Sequence, residues 1–150
     1  MLELKIKKLA HYDSELPLPS YESDLAAGAD IRACFPNRDS QTIKPGQRVL
    51  IPTGLSFEIP AGHEIQVRPR SGLSLKTPLL VVNSPGTVDA DYRGEVKIIT
   101  GHFGEGSFVI KHGERIAQLV VAPVLQVKFI ETSNLAETQR GESGFGSTGV

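Results

Sequence analysis

The sequence predicts an all-β protein made of short strands with one short helix, and three observations support that class. Fifteen glycines and ten prolines are spread along 150 residues between short apolar runs, a distribution that favours many turns over long helices. Apolar and polar residues alternate over residues 2–7 and again over 55–59, which is the period of a half-buried strand. No helical periodicity is sustained elsewhere along the chain. We therefore expect one domain, a sandwich or jelly roll of short strands.

Six further runs rich in β-branched residues predict strands, and glycine or proline separates most of them. They cover residues 63–68, 79–82, 96–99, 107–110, 116–121 and 124–130. The one predicted helix spans residues 71–76 between two prolines, with Ser71 placed to cap it. From Ser133 onward the apolar pattern stops and glycine and serine dominate the last residues. We therefore expect a folded domain over 1–132 and a mobile C-terminal arm over 133–150.

Composition disfavours several classes of function. The formal net charge of −1 gives no basic surface of the kind that binds nucleic acid by neutralising phosphates. The sequence shows no secretory signal and no apolar run of membrane-spanning length, so we expect a cytoplasmic protein without membrane contacts. The one cysteine, Cys34, lies among apolar neighbours and is expected to be buried and inert. The four histidines lack metal-ligand spacing and are expected at the surface.

Residues 83–95, with the sequence NSPGTVDADYRGE, predict a ligand pocket on a hairpin. A Pro-Gly turn lies between two strand-like runs, and turn backbone leaves N–H and C=O groups free of strand ladders. The Asn83 amide both donates and accepts hydrogen bonds, which suits the edge of a nucleobase. Taken alone, such a loop is more often only a turn that Asp89 and Tyr92 happen to fit. The interpretation therefore depends on the rest of the chain.

Two further segments have the chemistry of a phosphate site. In PRSGLS, the cation of Arg70 and the hydroxyl of Ser71 stand at the start of the predicted helix, where free N–H groups favour an anion. A capped turn with a solvated arginine is the alternative. In the tail, Arg140 precedes several glycines and the hydroxyls of Ser147 and Thr148. The tail lacks the Gly-Lys-Ser/Thr ending of a Walker loop and follows no strand, so P-loop chemistry is not predicted.

Two polar residues in apolar runs and one aromatic residue in the tail are further candidates. Asp30 and Gln118 each interrupt a strand-like run, and such side chains are usually satisfied within the fold. With a triphosphate present, both are suited to hold the waters of a magnesium ion, which prefers oxygen ligands and keeps much of its hydration shell. Arg115 adds positive charge beside them. Phe145, a lone aromatic between two glycines, is suited to cover the face of a base as the tail closes.

Five segments of the chain, in this order and at these intervals, closely resemble the five motifs of the trimeric deoxyuridine triphosphate nucleotidohydrolases, the dUTPases. They are AGADIRA, PRSGLS, NSPGTVDADYRGE, ERIAQLV and RGESGFGSTG, and together they span nearly the whole chain. No single motif is decisive, but five ordered matches are very specific. Ala29 fills a position that is often larger in the family, and Val88 stands where isoleucine is common. Neither difference touches the expected chemistry.

The resemblance implies a homotrimer of distorted jelly-roll β-barrels in which each active site is assembled from segments of all three chains. It implies hydrolysis of dUTP to dUMP and pyrophosphate, with Asp89 as the general base that activates a water to attack the α-phosphorus. Such an enzyme limits uracil incorporation into DNA and supplies dUMP for thymidylate synthesis. Magnesium would be held through water by Asp30 and Gln118.

The resemblance also assigns roles in binding the substrate dUTP. Uracil would be recognised by Asn83 and the hairpin backbone and covered by Phe145, while Tyr92 would pack under the sugar and exclude a 2′-hydroxyl. Phosphates would be bound by the helix-start segment and the tail. The implied substrate-binding set is Arg70, Ser71, Gly72, Asn83, Gly86, Thr87, Val88, Tyr92, Gln118, Arg140, Phe145, Gly146, Ser147 and Thr148.

Three alternatives remain open at this point. A dCTP deaminase-like enzyme would share the fold, but the motifs contain no glutamate suited to activate water at a pyrimidine carbon. A non-catalytic nucleotide-binding trimer is disfavoured because Asp89 and the complete tail are both retained, and a purely structural β-domain leaves the five polar clusters unexplained. Asp91 competes with Asp89 as the base, since alternate strand residues share a face. Only the resemblance favours Asp89, and Asp91 is expected to pair with an arginine.

Overall fold

The computed structural model describes residues 2–144, and within them it contains twelve short strands and one α-helix. The strands are β1 Lys5–Lys8, β2 Ser20–Tyr21, β3 Ala29–Arg32, β4 Ser40–Ile43, β5 Arg48–Ile51, β6 Leu55–Glu58, β7 His63–Arg68, β8 Leu79–Val81, β9 Gly86–Val88, β10 Ile98–His102, β11 Phe108–Lys111 and β12 Arg115–Pro123. The helix, α1, spans Ser71–Lys76, and a 3-10 turn spans Pro36–Arg38. The predicted all-β class with one short helix is confirmed.

The strands form four antiparallel sheets in the described part of the chain. The largest has the order β2-β3-β12-β7-β9, and a three-stranded sheet has the order β5-β10-β8. Two strand pairs, β1-β6 and β4-β11, complete the set. Over residues 2–144 these sheets do not join into a closed barrel. No helix in this range is long and apolar enough to cross a membrane.

The core is built mainly from isoleucine, which packs well on a pleated sheet because it is branched at Cβ. Six isoleucines from six different strands are no more than 1% exposed, and together they bring the sheets onto one core: Ile31, Ile43, Ile51, Ile65, Ile98 and Ile110. Burying a side chain of this size contributes roughly 1.5–3 kcal/mol. This shared core fixes the relative position of the loops that carry the polar motifs.

Three local predictions are wrong or incomplete. Strand β12 ends at Pro123, and residues 124–130 have no regular structure; the alternating apolar pattern is present, but no described strand lies beside it to complete the hydrogen-bond ladder. The helix bounds are as predicted, but Arg70 is the N-cap, with no side-chain capping bond, and Ser71 is the first helical residue. Strands β2, β4, β5 and β9 were not predicted; each has two to four residues and no sustained alternation, and residues 86–88 were expected to be a turn.

The burial of Cys34 is confirmed, and this burial raises the pKa of its thiol, as expected for an inert cysteine. The surface position predicted for the histidines is wrong for two of them. His102 is 5% exposed, and neither of its ring nitrogens has a partner among the described residues. The His112 side chain is only 11% exposed. Spacing along the sequence does not predict which side of a short strand or turn faces the core.

His112 belongs to a polar cluster around Asp13 that ties three loops together. The Asp13 carboxylate accepts hydrogen bonds from the backbone N–H of Glu15 at 3.0 Å and from His112 Nε2 at 3.0 Å, and it pairs with Arg38 Nε at 2.8 Å. The other ring nitrogen of His112 accepts the N–H of Phe35 at 3.1 Å. These contacts lower the pKa of Asp13, and the backbone hydrogen bond from Glu15 contributes most.

The Asp13 cluster predicts a specific acid sensitivity. An ordinary aspartate has a pKa of about 3.9, and the folded state holds that of Asp13 lower. The stabilisation is therefore complete above about pH 4 and is lost as pH falls through the lower, folded-state value. We expect the stability advantage of the wild type over Asp13→Asn in urea unfolding to be constant from pH 7 to about pH 5 and to shrink below about pH 4. Asp24→Asn, an exposed control without a described partner, should show no such change, and a pH-independent Asp13 difference would contradict the assignment.

Candidate active site

The loop 83–95 crosses from one sheet to another. Strands β8 and β10 on either side of it pair antiparallel, with Val81 opposite Thr100, so the predicted hairpin is confirmed. Inside the loop, strand β9 leaves this hairpin and pairs with the edge of β7, with Val88 opposite Ile65. The loop is thus attached to two sheets, and the turn that follows β9 is held in the space between them.

The crossing forms a pocket of about 450 Å³. It brings together five of the residues predicted from the loop: Asn83, Thr87, Val88, Asp89 and Tyr92. Gly86 lies beside them and is buried; a Cβ at this position would lie 2.8 Å from Asn83 Nδ2, so only glycine lets the amide rest against the backbone. We call this cavity the loop pocket.

Sequence reasoning missed five residues that line the loop pocket: Leu50, Glu95, Val96, Lys97 and Ile99. Leu50 and Ile99 lie opposite each other on the outer face of the three-stranded sheet, and the Leu50 side chain is 56% exposed. An exposed leucine in a strand is a weak signal by itself. Glu95 is the last residue of the segment 83–95. A search of this segment for a charged group that could attach the loop to the rest of the fold would have identified it.

The two candidate carboxylates differ in position. Asp89 lines the loop pocket and also a neighbouring groove of about 660 Å³, whereas Asp91 lines only the groove. The groove is walled by the start of β7 and by Val124 and Gln126. Both carboxylates are exposed, and the predicted pairing of Asp91 with an arginine is not found among the described residues. The geometry therefore favours Asp89 over Asp91 as a group acting inside the pocket.

A second cluster lies where β3, β12 and the start of α1 meet. It forms a depression of about 280 Å³ whose walls include the predicted residues Asp30, Arg70, Ser71, Gly72, Arg115 and Gln118. Asp30 lies opposite Gln118 in the β3-β12 pairing, which explains why residues so far apart in sequence meet. We call this depression the arginine cluster. It shares no lining residue with the loop pocket.

Asp30 holds both arginines of the cluster. Arg70 Nε donates to Asp30 Oδ1 at 2.8 Å, and Arg115 Nη1 lies 3.1 Å from Asp30 Oδ2. The Asp30 side chain is 10% exposed, so these are charge-assisted bonds in a partly dry site. Arg115 Nη1 also lies 3.1 Å from Glu22 Oε2. The guanidinium groups are thereby held at the wall of the depression with donors left over for an anion.

The oxygen donors of the arginine cluster are few, and most already have partners. Within residues 2–144 no group of three or more His, Cys, Asp or Glu side chains is arranged to hold a metal ion, and both Asp30 oxygens already bind arginine. Gln118 Nε2 donates to Pro69 O at 2.9 Å, which turns Oε1 towards Gly28, where a Cβ would lie 2.2 Å away. Among the described residues, the cluster therefore offers no ligand set for direct coordination of magnesium, and magnesium held through water stays a prediction.

The tail is described only in part. Arg140 is exposed, and its Nε donates to Ser143 O at 2.9 Å; it lines neither the loop pocket nor the arginine cluster. The predicted binding residues Phe145, Gly146, Ser147 and Thr148 lie outside the described residues.

A family model for dUTPase matches residues 14–149. The chain belongs to the dUTPase family. It is 52% identical over 149 residues to the deoxyuridine 5′-triphosphate nucleotidohydrolase of Roseobacter denitrificans, covering 99% of this chain and 97% of that protein. It is 54% identical over 147 residues to that of Rhizobium johnstonii, covering 98% and 94%. The predicted family resemblance is confirmed.

Solved dUTPase structures share the fold. The dUTPase of Staphylococcus bacteriophage 80alpha, solved with dUpNHpp, superposes with a TM-score of 0.85 at 28% identity and covers 100% of both chains. Because the superposition covers the whole of both chains, it includes the two sheets that carry the loop pocket and the arginine cluster.

The arginine cluster predicts selective anion binding in this dUTPase. Arg70→Ala removes a guanidinium that Asp30 holds in place, and we expect it to weaken inorganic pyrophosphate binding roughly tenfold, because hydrogen bonds to charged groups contribute about 1.5–3 kcal/mol. Isothermal titration calorimetry would measure the change. Lys76→Ala, at the other end of the same helix, removes an equal charge outside the cluster and should have little effect. Equal weakening by both variants would show that only net charge matters.

Proposed function

We propose that this chain hydrolyses dUTP to dUMP and pyrophosphate by attack of water on the α-phosphorus. The observation that carries the proposal is the loop pocket of a dUTPase family member, which places Asn83, Asp89 and Tyr92 around one cavity. The named relatives and the phage enzyme solved with dUpNHpp support the same substrate. In cells the reaction would limit uracil incorporation into DNA and supply dUMP for thymidylate synthesis.

The nucleoside would occupy the loop pocket. Asn83 and the backbone of Gly86, Thr87 and Val88 would supply donors and acceptors to the edge of uracil. These three residues form β9, which pairs with β7 on one side and is the edge strand of its sheet, so the backbone groups on the side away from β7 would be the ones that contact the base. Tyr92 would pack under the sugar and leave no space for a 2′-hydroxyl, which selects deoxyribose. Asp89 would accept a proton from the attacking water, a role that requires a carboxylate within hydrogen-bond reach of that water.

The triphosphate would be bound by the arginine cluster. Arg70, the first turn of the helix at Ser71 and Gly72, and Gln118 would contact phosphoryl oxygens, with Asp30 fixing Arg70 in place. Asp30 and Gln118 would also hold waters of a magnesium ion. Bound with the triphosphate, magnesium would supply charge neutralisation for the phosphoryl oxygens.

The arm over residues 133–150 would close the site on the folded domain. Arg140, Ser147 and Thr148 would bind the γ-phosphate end, Gly146 would let the backbone approach, and Phe145 would stack on uracil. Closure of this kind excludes water and strengthens the electrostatic interactions inside the site.

A homotrimer would bring the two halves of the site together. In a single chain the loop pocket and the arginine cluster share no lining residue, although one dUTP needs both. The outer face of the three-stranded sheet is apolar and exposed at Leu50, Leu80 and Val82, and Leu50 also lines the loop pocket. Residues 124–130 present a second set of exposed apolar side chains. Covering these surfaces with neighbouring copies would complete each pocket from more than one chain.

Pyrophosphate release tests the reaction and its base. The wild type with magnesium should release pyrophosphate from dUTP in preference to dCTP, dTTP and UTP. Asp89→Asn should lower kcat by roughly 10² to 10⁴, the usual contribution of a general base, while leaving dUTP binding largely unchanged. Asp91→Asn, which alters a carboxylate outside the loop pocket, should keep most of the activity. No release by the wild type, or equal losses in both variants, would refute the proposal.

Assembly can be tested at the apolar sheet face. Leu50→Glu places a charge on this face, and we expect it to dissociate the assembly, because a buried unpaired charge is costly. Analytical ultracentrifugation should then show a single-chain species with little activity. Val109→Glu, at an exposed position of the separate β4-β11 pair, should stay assembled and active. A fully active single-chain Leu50→Glu protein would contradict the shared site.

A further inference from the structure

Glu95, the last residue of the loop 83–95, is bound by three groups distant in sequence and by Lys97 beside it. Its side chain is only 12% exposed. One oxygen, Oε1, accepts the backbone N–H groups of Thr53 at 3.1 Å and Gly54 at 2.8 Å, and it lies 3.1 Å from His11 Nε2. The other oxygen lies 3.5 Å from Lys97 Nζ. Hydrogen bonds of this charge-assisted kind are stronger than those between neutral groups.

The backbone beside Glu95 is attached to the same turn. Thr53 Oγ1 donates to Val96 O at 2.5 Å, and Val96 N–H donates to Leu55 O at 2.9 Å. Thr53 is 1% exposed and Val96 is 3% exposed, so these bonds lie in the core. The end of the loop is therefore fixed to the turn between β5 and β6 by the side chain and the backbone together.

The attachment at Glu95 also positions the ring of Tyr92, which lines the loop pocket. The Tyr92 hydroxyl donates to the backbone carbonyl of Glu95 at 3.0 Å. A Cβ on Gly94 would lie 2.3 Å from the Tyr92 hydroxyl oxygen, so a glycine is needed for the ring to lie across the backbone. At the other end of the turn, Tyr92 N–H donates to Asp89 O at 3.1 Å. Tyr92 is 48% exposed and lines the loop pocket.

We infer that Glu95 is a positioning residue that sets the selectivity for deoxyribose through Tyr92. Its carboxylate fixes the backbone carbonyl that receives the Tyr92 hydroxyl, and the ring is thereby held at one distance from the sugar. The inference rests on the proposed function, in which Tyr92 excludes a 2′-hydroxyl. Oε1 is occupied by Thr53, Gly54 and His11, and Oε2 pairs with Lys97, so Glu95 is assigned an action on the sugar through the tyrosine and not by direct contact.

A double-mutant cycle tests the coupling. Glu95→Ala should lower the ratio of kcat/KM for dUTP to kcat/KM for UTP by roughly 3- to 10-fold, the equivalent of one hydrogen bond, and Glu95→Gln should lower it less, because the amide keeps an acceptor oxygen. In a Tyr92→Phe background the Glu95 change should add little, since the hydroxyl through which it acts is gone. Glu58→Ala removes an exposed glutamate paired with Lys5 and should leave the ratio unchanged. An unaltered ratio in Glu95→Ala, or full additivity with Tyr92→Phe, would overturn the inference.

A readout without nucleotide separates this inference from the proposed function. The chain has three tyrosines and no tryptophan, so fluorotyrosine labelling should give three ¹⁹F resonances, which Tyr→Phe variants assign. Glu95→Gln should shift or broaden the Tyr92 resonance and leave that of Tyr21 in place, and Glu58→Gln should move neither. An unmoved Tyr92 resonance in folded Glu95→Gln, checked by circular dichroism, refutes the anchor. A wild type that releases no pyrophosphate refutes the proposed function instead.

Discussion

The candidate site depends on the attachment of one loop to two sheets. β8 and β10 hold the ends of loop 83–95 in the three-stranded sheet, while β9 docks on β7 in the five-stranded sheet. With only one of these pairings, the turn between β9 and β10 would be attached to a single sheet. Together they fix it against a shared isoleucine core, so that Asn83 and Tyr92 face one cavity. The geometry of the site therefore depends on how the strands pair. Glycine is needed at positions 86 and 94 because the side chains of Asn83 and Tyr92 lie directly against the backbone there.

The charges within the arginine cluster balance, so the proposed phosphate site needs further cations to neutralise a triphosphate. Arg70 and Arg115 carry two positive charges, and Asp30 and Glu22, which contact them, carry two negative charges. The formal charge of the set is zero, so its donors are well oriented but do not neutralise a triphosphate. Additional cations must come from elsewhere, and the proposed magnesium ion and Arg140 of the arm are the two sources consistent with the motifs. In this proposal the fixed donors of the cluster orient the phosphates, and the magnesium ion and Arg140 neutralise their charge.

The sequence predicted the features that depend on residues close together in the chain. Helix bounds at 71–76 followed from flanking prolines, and the gathering of Asn83, Asp89 and Tyr92 followed from the turn residues of one motif. Properties that depend on long-range contacts were missed. Burial of His102 depends on which face of β10 meets the core, and the end of β12 at Pro123 depends on whether a partner strand is present for residues 124–130. Leu50 became a pocket residue only through its register opposite Ile99.

In the proposed homotrimer, the same outer sheet face would link assembly to catalysis. Leu50 and Ile99 belong both to this apolar face and to the wall of the loop pocket. A neighbouring copy that covers the face therefore changes the pocket wall as well, excluding water from one side of the bound nucleoside. Removing water strengthens every polar contact inside the cavity. Since the arginine cluster lies outside this pocket in the single chain, association of the apolar surfaces in the proposed homotrimer would also bring the phosphate donors to the base and sugar. Folding of one chain supplies the precise halves of the site, and assembly would join them.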